Sequence, residues 1–172
     1  RDRMKGYLAL GESDPREGWD QARLLGQRFM FELTIEVSDI ESFLNDGDHP
    51  GTAEGHVRCE ALGGKLPVER GWFNLFVTGG DAMTREMRYR LWFHDLAGAP
   101  VTMYGVKHVR DDSGLDVWRD TSTLHITLLR GHVPPEVTGT VIGAGILRIL
   151  PRDFARQLTT FRASGQGGVG SI

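Results

Sequence analysis

The sequence is poor in cysteine and has no long apolar run. A single cysteine, Cys59, occurs among 172 residues. One thiol can form neither an internal disulfide framework nor a zinc site built from several thiolates. No apolar run approaches the ~20 residues that a helix needs to cross a bilayer. No apolar leader segment is visible either, and we therefore expect a cytoplasmic protein without a membrane span.

The charge balance argues against a polyanionic partner. Lys and Arg number 20 and Asp and Glu number 23, which gives a formal net charge of −3. Such a chain has no overall attraction to nucleic acid or to an anionic membrane. Hydrophobic residues make up 40% of the chain, which is too high for a disordered segment. The length predicts one domain over residues 1–163, followed by a glycine-rich flexible tail or linker at 164–172. Whether the chain is part of a longer polypeptide stays open.

Apolar and polar residues alternate with a period of two through most of the chain. The clearest case is 29–37, where Phe29, Phe31 and Leu33 share one face and Glu32 lies on the other. This pattern is typical of a half-buried strand. Further strands are predicted at 5–10, 55–62, 71–77, 87–93, 101–109, 115–118, 121–129 and 141–150.

Few segments have the pattern of a helix. Short helices are predicted near 39–46, after a capping-box spacing, and near 151–162, where the apolar residues share one face. The segment 14–28 is ambiguous because Gly18 and Gly26 weaken a helix there.

The fold class follows from the connections between the strands. A parallel sheet needs long crossover helices, and these are missing. We therefore predict an all-β, antiparallel, up-and-down barrel of about eight or nine strands, with a two-sheet sandwich as the alternative. The barrel is favoured because closure removes sheet edges. Glycines within the strands also suit sharp coiling: Gly71, Gly105, Gly143 and Gly145.

Two glycine-rich segments imitate a dinucleotide-binding motif. The segment 141–148 follows the pattern until Arg148, which occupies the position where a helix must pack closely on its strand. The tail segment 165–170 fits the spacing but lacks both the preceding strand and the following helix. We therefore predict no cofactor in this chain.

The histidines and the cysteine give no catalytic signature. None of the six histidines has the spacing of a known metal motif. His56, His108 and His125 lie on predicted strands and could converge inside a barrel as a three-histidine site. Exposed or hydrogen-bonded histidines are the alternative. Cys59 is predicted to be a buried, inert thiol.

One lysine stands on an otherwise apolar strand face. Lys107 has the parity of Val101 and Met103, and a cation there needs a carboxylate or a ligand. The functional interpretation is a pocket with one charged anchor, whose candidate ligand-binding residues are Lys107, Trp118, Tyr104, Trp92, Arg148 and Asp120. The alternatives are a structural ion pair with Asp116 or Asp120, or a bulge that turns Lys107 outward.

Several stretches resemble a known accessory module. They are 4–7, 62–71, 87–91 and 144–147 running into 153–154, and together they span residues 3–163. They resemble the lipocalin-like β-barrel module of multidomain glucose–methanol–choline oxidoreductases of the cholesterol-oxidase-like branch. The resemblance implies a barrel beside a flavin domain, where FAD would be bound by the neighbouring domain. It transfers no catalytic residue.

Three functions remain open at this point. The first is a non-catalytic barrel that binds or helps deliver an apolar small molecule, lipid-like or sterol-like, beside a catalytic domain or subunit. The second is a solid structural module that docks neighbouring domains. The third is an enzyme in its own right that uses Lys107 with an acidic partner, or a set of histidines.

Overall fold

Eight antiparallel strands form one closed barrel. The computed structural model describes residues 2–36, 51–77, 84–110, 123–135 and 137–149. The strands follow one another around the barrel in chain order, and β1 pairs with β8 to close it. The all-β barrel prediction is confirmed, and the two-sheet alternative is excluded. The strands are β1 (Asp2–Leu10), β2 (Arg28–Glu36), β3 (Gly51–Cys59), β4 (Gly64–Val77), β5 (Thr84–His94), β6 (Pro100–Arg110), β7 (Thr123–Arg130) and β8 (Val141–Arg148).

One helix, α1 (Pro15–Leu25), connects β1 to β2 and packs on the outer face of β1 and β8. Asp14 caps its first turn by accepting a hydrogen bond from the Glu17 amide at 3.1 Å. Gly26 ends it with a left-handed φ of 69°. Gly18 faces the sheet so closely that a Cβ there would lie 2.0 Å from the Ala144 carbonyl oxygen. Of the two glycines that made this segment ambiguous, Gly26 is therefore the C-cap of the helix and Gly18 is its point of contact with the barrel.

Large apolar side chains fill the middle of the barrel. Aromatic rings from separate strands meet there: the Tyr89 ring centroid lies 5.9 Å from that of Phe31 and 5.0 Å from that of Phe73. All three residues are at most 2% exposed. The alternation seen in the sequence of β2 thus separates this interior from the outer face.

The two ends of the barrel differ in how much of them is described. At one end, which we call the turn end, a 3-10 helix (Glu60–Leu62), the turn at 95–99 and the loop at 131–140 join the strands. At the other, which we call the Lys107 end, the connections 37–50, 78–83 and 111–122 lie outside the described residues. So do the predicted helices near 39–46 and 151–162, the predicted strand 115–118 and the tail at 164–172.

Candidate functional site

Lys107 lies inside the barrel, near the end that carries its name. Only 5% of the residue is exposed. Val101 and Met103, which precede it on the same side of β6, belong to the apolar core. The strand therefore keeps its alternation as far as Lys107, and the inward orientation predicted from parity is confirmed.

The ammonium group of Lys107 faces a buried phenol. Its Nζ donates to the Tyr89 hydroxyl at 3.4 Å and lies 5.5 Å from the centroid of the same ring. The Tyr89 hydroxyl lies 3.5 Å from the Met87 sulfur. An ammonium and a phenol together can donate hydrogen bonds to a carboxylate or another anionic oxygen. The arrangement is thus chemically suited to hold an anionic oxygen.

Two of the predicted aromatic site residues lie on the outside of the barrel. Trp92 Nε1 donates to the Val133 carbonyl oxygen at 3.0 Å, and Arg90 Nη1 donates to the same oxygen at 3.2 Å. The Arg90 guanidinium also lies 4.9 Å from the centroid of the Tyr104 ring. These residues hold the loop after β7 against the outer face of β5 and β6. The structure therefore does not bring Trp92 or Tyr104 together with Lys107.

The remaining predicted site residues are also apart from Lys107 or outside the described residues. Arg148 is exposed on the outer face of β8, with its guanidinium 4.9 Å from the Trp19 ring of α1. Ile146 lies on the same outer face of β8, where α1 packs, and is 4% exposed. Trp118 and Asp120, together with the alternative partner Asp116, lie outside the described residues.

The three histidines that could have converged inside the barrel do not do so, and the alternative of histidines on the outer face is the one observed. His56, His108 and His125 alternate with core residues on their strands and lie on the outer face, so the interior three-histidine site is wrong. His108 Nδ1 lies 4.0 Å from Glu86 Oε2. Partial burial lowers the pKa of His125, and the neighbouring His108 and Arg16 lower it further.

The thiol of Cys59 is part of the core, where the residue is 3% exposed. Burial raises the pKa of this thiol above its ordinary value. Because the thiolate is the nucleophilic form, a buried thiol with a raised pKa is poorly reactive. The prediction of a buried thiol is confirmed.

A further group of polar side chains could not be predicted from the sequence. Glu69, His94 and His132 each offer one ligand atom, and these atoms lie within 4.8 Å of one another at the turn end. The three come from β4, β5 and the loop after β7, and no local spacing links them. Only the pairing of the strands brings them together.

Comparisons with known proteins give no further lead. No family model, curated protein or solved structure matches this chain. Among the described residues, no helix has the length and apolarity that crossing a membrane requires.

Proposed function

We propose that this barrel binds an apolar small molecule with an anionic head, such as a lipid or sterol derivative, and that Lys107 anchors the head. The observation that carries the proposal is a lysine that is 5% exposed on the inner face of an apolar barrel. Its Nζ contacts the Tyr89 hydroxyl at 3.4 Å, and an ammonium beside a phenol offers two donors to one anionic oxygen. A barrel interior surrounds a ligand with apolar walls, and one charged group can orient it.

The filled middle of the barrel limits where such a ligand binds. Because the rings of Phe31, Phe73 and Tyr89 meet across the interior, the proposal places the ligand between this layer and the Lys107 end. Two partly buried apolar residues, Ile35 and Met87, pack against the core there. We infer that they contact the apolar body while Lys107 and the Tyr89 hydroxyl contact the head.

The experiment compares two ligands that differ only in the head group. Binding of decanoate and of decanol is measured by isothermal titration for the wild type and for Lys107→Met, which keeps an unbranched side chain as far as Cε and removes the ammonium. Decanoate should bind the variant about tenfold or more weakly, because a hydrogen bond to a charged group contributes on the order of 1.5–3 kcal/mol. Decanol should bind both proteins alike, because it carries no charge.

A second variant separates loss of the anchor from a general disturbance of the core. Tyr89→Phe removes only the hydroxyl that Lys107 contacts at 3.4 Å. It should weaken decanoate by a smaller factor than Lys107→Met. Equal affinity of decanoate for all three proteins, or no binding to the wild type, contradicts the proposal.

The ring contacts across the interior also favour a second candidate, a solid structural module. Such a module would bind neither probe and would dock a neighbouring domain or subunit instead. Native mass spectrometry of the purified protein discriminates the two, since a binding module should carry a lipid-sized mass and a solid one should not.

The proposed context is a neighbouring flavin-dependent domain in a cytoplasmic oxidoreductase. It rests on the resemblance described above, and FAD would be bound by that neighbouring domain. The residues that flank this chain in its full polypeptide test it. A dinucleotide-binding βαβ unit next to the barrel is expected, and flanks without one contradict this context.

A further inference from the structure

The turn end carries a cluster of side chains with the donor set of a metal site, separate from the barrel interior. Glu69, His94 and His132 supply one carboxylate and two imidazoles, whose ligand atoms lie within 4.8 Å of one another. Donors around a tetrahedral ion at ~2.1 Å are separated by about 3.4 Å, so small side-chain rotations suffice to close the set. We propose that these three residues bind a divalent transition-metal ion of the Zn²⁺ class.

The hydrogen bonds of His132 leave one ring nitrogen for a metal. Its Nε2 lies 2.9 Å from the Phe93 carbonyl oxygen. A carbonyl only accepts, so Nε2 carries the hydrogen and Nδ1 keeps the lone pair. Metal-binding histidines almost always donate their second ring nitrogen in this way, which fixes the tautomer and the ring orientation.

The loop that carries His132 is held on both sides of the residue. The Thr102 hydroxyl donates to the Gly131 carbonyl oxygen at 2.7 Å and accepts from the Val133 amide at 2.9 Å. The His132 ring lies edge-on to the His94 ring, with centroids 4.8 Å apart. His132 is therefore held in position before an ion binds, which lowers the entropic cost of closing the site.

His94 and Glu69 already interact without an ion. The His94 Nδ1 forms a short hydrogen bond with the Glu69 carboxylate, and their side chains are 41% and 47% exposed. An ion bound at this nitrogen takes the place of the hydrogen that lies between His94 and Glu69. Exposure leaves room for water to complete the coordination. Two imidazoles with one carboxylate suit Zn²⁺ and its first-row neighbours better than Mg²⁺ or Ca²⁺, which prefer oxygen ligands.

The test is titration of the metal-free protein with Zn²⁺ alone in a non-coordinating buffer. One ion per chain should bind, and Mg²⁺ should give no binding. His94→Ala and Glu69→Gln should each weaken Zn²⁺ about tenfold or more, which is the lower range for disturbing a metal site. Glu69→Gln keeps the shape of the side chain, so its loss of affinity does not depend on misfolding.

The matched control is His108→Ala. His108 also lies beside a glutamate, with Nδ1 4.0 Å from Glu86 Oε2, but the described residues place no third ligand there. This variant should bind Zn²⁺ like the wild type. Absence of Zn²⁺ binding, or equal affinity in the wild type, His94→Ala and Glu69→Gln, overturns the proposal without affecting the one for the barrel interior.

Discussion

At the residue scale, the side chain of Lys107 combines a buried charge with an apolar setting. Its ammonium gives up hydration and gains the Tyr89 hydroxyl at 3.4 Å and the face of the Tyr89 ring at 5.5 Å. Buried polar groups that serve binding often cost stability compared with an apolar residue of the same shape. Removing a ligand anchor and removing a structural cation should therefore change the free energy of unfolding in different ways.

Lys107→Met tests this difference through the free energy of unfolding. If Lys107 serves a ligand, the variant should be as stable as the wild type or more stable, by up to about 2 kcal/mol, because an apolar side chain suits the core better. Urea unfolding measures the change. A loss of stability of about 3 kcal/mol or more would instead indicate a structural role, as expected when one partner of a buried pair is removed.

His125 should make stability depend on pH. Its pKa is lowered from 6.5 in the folded protein, with burial as the largest cause. The unfolded chain regains the ordinary pKa, so below pH 6.5 the unfolded state takes up more protons and stability falls as the pH falls. His125→Gln should flatten this part of the curve, as measured by urea unfolding from neutral to mildly acidic pH. An unchanged slope would contradict the assignment.

At the element scale, contacts on the outside of the barrel fix α1 and the loop after β7. The helix meets β8 through Gly18, with no side chain between the backbones. The loop is held by Thr102, Arg90 and Trp92, which reach its carbonyl groups from the outer face of β5 and β6. These side chains on the outer face of the barrel thus hold the loop in place through hydrogen bonds to its backbone.

Gly18→Ala tests the close approach of α1 to the barrel. The new Cβ would lie 2.0 Å from the Ala144 carbonyl oxygen, so the helix or β8 must move. Overpacking should destabilise the protein by about 1–3 kcal/mol, which exceeds or offsets the gain in helix propensity of about 1 kcal/mol.

The control for this prediction is Leu24→Ala on the same helix. Leu24 is 85% exposed, so its removal should change stability by less than about 0.5 kcal/mol. A Gly18→Ala protein more stable than the wild type would show that α1 is not held against β8.

At the scale of the whole molecule, local alternation predicted the strands of the barrel because strands such as β2 and β7 are apolar on one side and more polar on the other, although β8 is buried on both sides. The same alternation placed Lys107 inside. It also places Trp92 on the same side of β5 as Arg90, so the position of Trp92 on the outer face could have been predicted from the sequence. The contact of α1 with β8 could not be predicted from the sequence. A glycine within a helix indicates only a less stable helix unless the strand that packs against it is known. The cluster of Glu69, His94 and His132 depends on strand register, which no single segment encodes.

The most direct test of ligand binding at the Lys107 end uses the methionine methyl groups as reporters in NMR. Met87 pairs with Lys107 across β5 and β6, whereas Met30 is only partly buried on the other side of β2 from the core residues Phe29 and Phe31. Decanoate should shift the Met87 methyl signal in a saturable way, leave the Met30 signal in place, and lose this effect in Lys107→Met. A Met87 signal that does not respond, or that responds equally in the variant, would contradict binding at Lys107.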